Sequence, residues 1–195
     1  MTAPASRLRG RPDTRERLLQ AVGELRAERG WAACSLKAVA RRAGLTTGAV
    51  YSTFGSRGAL LAAWMVHRVE SYGLPADEPD LARAVAAFAR GYYASAQDAE
   101  GIELVTMQLD LVRLAGTDEP LAEALREGFE QLLDDLVVGL DGRGVQTEGI
   151  TTVQLARRLV GVLQGLLIQK IGFAAPVTEQ DFIDAALAVI GAGKR

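Results

Sequence analysis

The stretch at residues 35–57, SLKAVARRAGLTTGAVYSTFGSR, constrains the fold of this chain more than any other part of it. Its apolar spacing predicts two short helices separated by a sharp turn at Gly44, with a third helix starting at Ser56. Glycine suits the turn because it adopts the left-handed backbone conformation without a steric penalty. Two short helices joined in this way make a helix-turn-helix, whose second helix lies in the major groove of DNA. The stretch therefore predicts a DNA-binding unit.

The distribution of charge along the chain supports a DNA-binding unit at the N-terminal end. Residues 1–72 contain 12 Lys and Arg against 5 Asp and Glu, whereas the remaining residues contain 10 against 19. The formal net charge of −2 conceals this asymmetry. A basic small domain joined to an acidic larger domain is typical of a protein that binds DNA through one part only.

The sequence GLTTGAVYSTFGSRGALL, which overlaps this stretch, resembles the signature of the TetR-family transcriptional regulators of bacteria. The matching positions are Gly44, Gly48-Ala49-Val50-Tyr51 and Phe54-Gly55-Ser56-Arg57, and with the preceding helix the resemblance covers about residues 12–65. Two positions depart from the pattern, because Gly58 stands where the family usually has an acid and Thr53 where it often has His or another larger polar residue. The resemblance implies nine helices, a homodimer formed through the last two of them, and a ligand pocket inside the larger domain.

The composition and the breaks along the chain predict an all-α fold with about nine helices. Segments rich in Ala, Leu, Arg and Glu dominate, and Gly and Pro near residues 73–79 mark a domain junction. The predicted parts are a flexible basic arm (1–11), an N-terminal three-helix DNA-binding domain with the helix-turn-helix (12–56), a bridging helix (57–73) and a larger C-terminal helical domain for ligand binding and dimerisation (74–195). Five helices are predicted after the junction, at about 80–97, 101–115, 119–140, 149–172 and 179–191.

The recognition helix is predicted at residues 46–54, where small and hydroxyl-bearing side chains are concentrated. Small residues let the backbone approach the groove, and hydroxyl groups and cations suit phosphates or base edges. A cation in the first turn of the helix that starts at Ser56 opposes the helix dipole, so Arg57 is expected to meet a phosphate. The predicted DNA-contacting residues are Ser35, Lys37, Thr46, Thr47, Gly48, Ala49, Tyr51, Ser52, Thr53, Arg57 and, from the basic arm, Arg11.

The pocket that the family resemblance implies has candidate lining residues at helical spacing in the second half of the chain. They are Trp64, Phe88, Tyr92, Met107, Leu111, Phe129 and Gln164. Mostly apolar walls with one or two polar groups suit a small hydrophobic effector. Plain core packing is the alternative for each of these residues.

The most apolar segment, from Ile150 to Phe173, carries two glycines four residues apart, which would let another helix approach closely. Together with the last predicted helix it is interpreted, from the family resemblance, as the dimer interface. The predicted interface residues are Leu159, Gly161, Val162, Gly165, Ile168, Phe182, Ile183, Ala186, Leu187 and Ile190. The alternative is that this segment is a core helix within one chain.

Catalysis, metal binding and cofactor binding have no support in the residue inventory. The chain has one cysteine, Cys34, and one histidine, His67, and no glycine-rich loop that would hold a phosphate. We therefore expect no catalytic residue, no metal and no cofactor. No apolar run reaches membrane-spanning length, and no apolar segment follows the basic N-terminus, so a cytoplasmic protein that does not enter a membrane is expected.

Together with the family resemblance, which implies the dimer and the ligand pocket, these patterns predict a homodimeric repressor that binds a palindromic operator in double-stranded DNA and is released by a small hydrophobic effector. Two alternatives stay open. One is a helix-turn-helix-derived dimer that acts through protein partners, and the other is an activator without a small-molecule effector. An enzyme that uses a cavity in the C-terminal half is disfavoured by the same residue inventory.

Overall fold

The computed structural model describes residues 12–69, 73–145, 149–173 and 176–191. These residues form nine α-helices and two single-turn 3-10 helices, Trp31–Ala33 and Ala115–Thr117, and contain no strand. The α-helices are α1 (Pro12–Arg29), α2 (Leu36–Arg42), α3 (Thr47–Phe54), α4 (Arg57–Val69), α5 (Leu81–Ala94), α6 (Ala99–Leu114), α7 (Glu119–Asp141), α8 (Thr152–Gly172) and α9 (Glu179–Val189). The all-α class and the number of helices predicted from the sequence are confirmed.

The described residues divide into two compact units, and the division differs from the predicted domain boundaries. The first unit comprises the described parts of Met1–Glu70 together with Gln108–Gly128. The second unit comprises the described parts of Ser71–Met107 and Phe129–Arg195. The predicted bridging helix corresponds to α4, which belongs to the first unit.

Helix α1 forms the centre of the first unit and packs against both α2 and α4. Its apolar side chains repeat at helical spacing, and Leu18 and Val22 are fully buried. Val39 of α2, Val50 of α3 and Leu60 of α4 are also fully buried. Because each side chain of this size stabilises the folded state by about 1.5–3 kcal/mol when buried, four short helices can share one small core.

The turn between α2 and α3 has the local chemistry that the sequence predicted. Gly44 has a φ of +65°, in the left-handed region that glycine tolerates best. Ser35 and Thr46 cap α2 and α3, because each side-chain oxygen accepts a hydrogen bond from the backbone N–H three residues later, at 3.2 and 3.1 Å. A cap of this kind contributes about 0.5–2 kcal/mol. These local signals determine where both short helices begin.

The start of α7 packs closely against the start of α4, which explains why residues 108–128 belong to the first unit. A Cβ atom placed on Gly58 would lie 2.8 Å from Cδ2 of Leu121 and 3.1 Å from Oδ2 of Asp118. A Cβ on Gly55 would lie 2.8 Å from Cβ of Pro120. The absence of a side chain at Gly58, where the family usually has an acid, therefore makes room for α7.

The second unit is built on α5, α8 and α9, which pack against one another. α8 begins with a capping box at Thr151 and turns one apolar stripe inward. The buried leucines of this stripe recur every four residues, at Leu155, Leu159, Leu163 and Leu167. From α9, Phe182 is fully buried and makes an edge contact with the ring of Tyr93, at 5.6 Å between centroids. The second unit thus has a core of its own.

Replacing Gly58 by alanine should destabilise the protein, because the new Cβ would lie 2.8 Å from Cδ2 of the fully buried Leu121. We expect a loss of about 1–3 kcal/mol, as for other overpacked sites. The matched control is Gly91→Ala in α5, where a Cβ would meet no atom within 4 Å. Alanine there should add about 0.5–1 kcal/mol because it favours the helix. Urea unfolding measures both, and equal effects of the two variants would contradict the packing at Gly58.

Candidate nucleic-acid interface

Helix α3 leaves a polar face exposed while its apolar residues point into the first unit. Val50 and Phe54 are buried. On the other face Thr47 and Gly48 are exposed, and Tyr51 exposes 55% of its surface. A large aromatic residue exposed beside a glycine gives a nucleic acid both a flat contact and close access to the backbone. This face is the candidate recognition surface.

The hydroxyl groups around α3 differ in whether they can donate or accept a further hydrogen bond. Ser35 and Thr46 accept hydrogen bonds as helix caps, so their O–H protons stay available to donate to a phosphate. Ser52 and Thr53 instead donate their protons to the carbonyl oxygen of Ala49, at 3.1 and 2.7 Å, and keep acceptor lone pairs. Ala49 itself is half-buried. The caps therefore suit phosphates, and the other two hydroxyls suit donor groups.

The cations of α2 fall into two groups. Arg42 donates two hydrogen bonds to Glu28, at 2.7 and 2.6 Å, and lies 3.1 Å from Glu24, so it ties α2 to α1. These contacts lower the pKa of Glu28, mainly through the hydrogen bond from Arg42. Lys37 and Arg41 are exposed and have no ion pair within the described parts of the chain. They are the α2 cations available to phosphates.

Arg57 has a structural explanation that the sequence did not reveal. Its Nε donates a hydrogen bond to the carbonyl oxygen of Cys34, at 2.8 Å, and its Nη2 donates to that of Trp31, at 2.9 Å. A phosphate is therefore not needed to explain a cation at the start of α4. Since Cys34 directly precedes the cap of α2, Arg57 fixes the entry to that helix.

Arg17 of α1 holds the other end of α2. Its Nη2 donates a 2.6 Å hydrogen bond to the carbonyl oxygen of Ala43, the residue that ends the helix. Carbonyl groups at a helix end have no partner within the helix, and a guanidinium satisfies them well. α2 is thus held at both ends by arginines, one from α4 and one from α1.

Cys34 is a buried packing residue. Its side chain is fully buried, and its Sγ lies 3.7 Å from the carbonyl oxygen of Val22. Burial raises the pKa of the Cys34 thiol despite two nearby arginines. The thiol therefore stays protonated at neutral pH and is a poor nucleophile.

Of the predicted DNA-contacting residues, Arg11 and the rest of the basic arm at 1–11 lie outside the described residues. The other ten belong to the first unit. They lie on α2 and α3, at the N-caps of these two helices and at the first residue of α4. Sequence reasoning missed the holding role of Arg17 and Arg42. Their partners lie 14–26 residues away in sequence, so no local pattern reports them.

The predicted ligand-pocket residues are divided between the two units. Trp64 and Leu111 belong to the first unit, whereas Phe88, Tyr92, Met107, Phe129 and Gln164 belong to the second. Trp64 is 4% exposed and makes an edge contact with Trp31, at 5.1 Å between ring centroids. Its position is explained by the core of the first unit, without a ligand. In the second unit, the rings of Phe88 and Tyr92 are in edge contact at 5.2 Å, and Phe129 is 40% exposed.

The predicted dimer residues also separate into two groups. Those on the inner faces of α8 and α9 are buried within one chain, namely Leu159, Phe182, Ile183 and Ala186. This corrects the interface prediction for these four residues, because a side chain buried in its own core has no surface left for a second subunit. The remaining residues are partly or fully exposed, namely Gly161, Val162, Gly165, Ile168, Leu187 and Ile190.

Comparison with protein families shows what this arrangement resembles. Residues 18–64, which run from within α1 to within α4, match the family model of bacterial regulatory proteins of the tetR family. This part of the chain is therefore similar to the DNA-binding part of TetR-family regulators. Members of this family are DNA-binding transcription factors rather than enzymes. Comparison with curated proteins finds no match to the chain.

Several solved structures share the fold along nearly the whole chain. The TetR family transcription regulator SCO0332 is 23% identical with a TM-score of 0.74, over 94% of this chain and 100% of that one. A transcriptional regulator from Rhodococcus sp. Rha1 is 26% identical, with a TM-score of 0.59 over 91% and 94%. The multidrug binding protein EbrR, solved with proflavin, is 22% identical, with a TM-score of 0.59 over 90% and 99%.

Two further features of the described residues concern metal binding and membranes. Within residues 12–69, 73–145, 149–173 and 176–191, no three His, Cys, Asp or Glu side chains come together as a potential metal site. In the same part of the chain, every helix is too short or too polar to cross a lipid bilayer.

The roles of Arg57 and Lys37 can be separated by the salt dependence of DNA binding. Lys37→Met should reduce the slope of log Kd against log salt by about one, because it removes one phosphate contact. Arg57→Met should lower the free energy of unfolding by about 1–2 kcal/mol through its lost hydrogen bonds. It should weaken DNA binding with the slope unchanged. A reduced slope for Arg57→Met would show that this arginine contacts phosphate after all.

The ion pairs of Arg42 predict an acid-sensitive contribution to stability. The folded-state pKa of Glu28 lies below its ordinary value of 4.5, so the pair stabilises the fold above that pH and loses its effect as the pH falls through the folded pKa. The stability difference between wild type and Arg42→Met should therefore shrink in acid. Arg41→Met, which removes a neighbouring cation without an ion pair, should leave stability nearly unchanged at every pH. Equilibrium unfolding from neutral pH down to about 3 tests both variants.

Proposed function

We propose that this regulator is a homodimeric repressor that binds a palindromic operator through α3 and leaves it when a small hydrophobic effector binds. The observation that carries the proposal is the exposed face of Thr47, Gly48 and Tyr51 on a helix whose position is fixed by buried and hydrogen-bonded residues. A rigid helix with an exposed polar face is what recognition in the major groove requires. Lys37 and Arg41 would flank this face and contact phosphates.

A second copy of the chain would present a second recognition helix. The support is the outer face of α8, where a Cβ added at Gly161 or Gly165 would meet no neighbouring atom of the chain within 4 Å. A glycine inside a helix costs about 1 kcal/mol relative to alanine. Neither glycine is needed to make room for a neighbouring side chain of its own chain. Ile168 and Phe173 add exposed apolar surface, at 38% and 75% exposure. A two-fold dimer would bind half-sites about 34–36 Å apart or a multiple of that spacing.

We place the effector site in the second unit, near Phe88, Tyr92 and Gln164. The half-buried ring of Tyr92 supplies aromatic surface and is in edge contact with the buried ring of Phe88, and Gln164 is a half-buried polar side chain on α8. A few polar groups among apolar ones suit a hydrophobic ligand. An effector would release DNA only to the extent that it binds one conformation more tightly than the other. Proflavin, which EbrR binds, is a reasonable first probe.

The recognition surface is tested by DNA selected from genomic fragments and bound at physiological salt. Thr47→Ala and Tyr51→Ala should each weaken binding to the selected sequence by about 1–3 kcal/mol, because they remove contacts in the groove. Thr106→Ala, an exposed threonine of α6, serves as the matched control and should bind as wild type does. Fluorescence anisotropy measures the affinities. Equal binding to selected and random DNA, or no loss in either α3 variant, would contradict the proposal.

The effector is tested on the same protein–DNA complex. Titration with proflavin and other small hydrophobic compounds should release the DNA, and Tyr92→Ala, at a half-buried position, should reduce that release without changing DNA affinity in the absence of the compound. A transcription assay with the selected operator then distinguishes repression from activation. If no compound releases the DNA and transcription rises on binding, the repressor proposal fails while DNA recognition stands.

A further inference from the structure

The last two helices of the second unit carry opposite charges. α8 contains Arg157, Arg158 and Lys170 and no acid, whereas α9 contains Glu179, Asp181 and Asp184 and no base. The cationic helix is unusual in its surroundings, because the chain after residue 72 has 10 Lys and Arg against 19 Asp and Glu.

Half of these charges are engaged within the chain. Nζ of Lys170 lies 5.3 Å from the ring centroid of Tyr93. Glu179 forms an ion pair of 3.4 Å with an arginine of α5. Asp181 accepts hydrogen bonds from the backbone and the hydroxyl of the residue that caps α9, and these lower its pKa. These three groups need no external partner.

Arg157, Arg158 and Asp184 are exposed and form no ion pair within the described parts of the chain. Asp184 accepts a 2.8 Å hydrogen bond from the neutral side chain of Gln180, which leaves its charge uncompensated. The two arginines lie in the second turn of α8, and neither has a counter-charge within the described residues. An acidic partner would supply one.

The two arginines cannot reach Asp184 of their own chain. α9 follows α8 after a short connection and packs against it, so the two helices run antiparallel. At 1.5 Å per residue, Arg157 lies about 22 Å from the end of α8, whereas Asp184 lies about 8 Å from the start of α9. The two positions are therefore separated by about 15 Å along the helix axis.

The face of α8 that carries the arginines is the face proposed for dimerisation. At 100° per residue, Arg157, Gly161, Gly165 and Ile168 fall within one arc of the helix, opposite the buried leucines. On α9, Asp184 lies between Gln180 and Ala188 on the exposed side. Unpaired cations and an unpaired acid thus lie on the outer faces of neighbouring helices.

We infer that Arg157 and Arg158 form ion pairs with Asp184 of the partner subunit, and that these pairs set the register of the dimer. The inference rests on the proposed dimer. With a two-fold axis midway between Gly161 and Gly165 and the two α8 helices antiparallel, residue 157 lies level with residue 169 of the other α8. Asp184 of the partner subunit would then lie about 3 Å from that level, because α9 runs back along α8 at 1.5 Å per residue.

This pairing has a consequence for specificity. The contact occurs twice in a symmetric dimer, so a wrong register loses both sets of pairs and places like charges together. Exposed ion pairs add little to affinity but discriminate well between partners. Burial of the apolar surface around Ile168 would supply most of the favourable free energy of association. The charged pairs would determine which arrangement of the two copies is adopted.

Charge reversal in the full-length protein tests the pairing. The variants are Arg157→Glu with Arg158→Glu, Asp184→Lys, and the combination of all three. The matched control is Arg157→Lys with Arg158→Lys, which keeps both charges. Sedimentation equilibrium at about 50 mM and about 500 mM salt measures the dimer Kd, since screening weakens exposed pairs. Thermal unfolding followed by circular dichroism checks that each variant is folded.

Each reversal alone should raise the dimer Kd by about tenfold or more at low salt. The combined variant should recover most of that loss, and the lysine control should behave as wild type. Additive losses in the combined variant, with a wild type that is dimeric, would overturn the pairing and leave the proposed dimer intact. A wild type that stays monomeric at micromolar concentration would overturn the dimer and the pairing together.

Discussion

The DNA-binding unit depends on the way α2 is held at both ends by arginine side chains. Arg57 of α4 binds the carbonyl oxygens of Cys34 and Trp31 just before the helix, and Arg17 of α1 binds that of Ala43 at its end. A helix of seven residues has little stability of its own. Because α3 follows α2 through the single turn at Gly44, fixing α2 also fixes the recognition helix. These hydrogen bonds also engage the guanidinium groups of Arg17 and Arg57, which would otherwise be available to DNA phosphates.

Much of this unit could be predicted because its signals are local. Gly44, Ser35 and Thr46 determine a turn and two caps through bonds to residues within three positions, so the sequence reports them directly. The roles of Arg17 and Arg57 could not be predicted in the same way, since their partners lie 23–26 residues away. A basic residue near a helix-turn-helix looks the same in sequence whether it binds a phosphate or a carbonyl group.

Packing between distant segments explains the other differences between expectation and structure. Gly58 departs from the family pattern, and its buried contact with Leu121 becomes visible only when the start of α7 is in place. In α8, apolar residues occur on both sides of the helix, so periodicity alone did not say which face is core. The structure assigns Leu159 to the interior and leaves Gly161, two positions later, exposed. The inner face stabilises one chain, and the outer face is the one open to a partner.

The central claim is that two copies of α3 read one side of the DNA together. Hydroxyl-radical footprinting of the wild-type protein on its selected DNA tests it most directly. The account predicts two protected patches on the same face of the duplex, one helical turn of about 34–36 Å or a multiple of it apart. Both patches should disappear at the same protein concentration when Tyr51 is replaced by alanine. A single patch, or even protection along the whole fragment, would contradict the account.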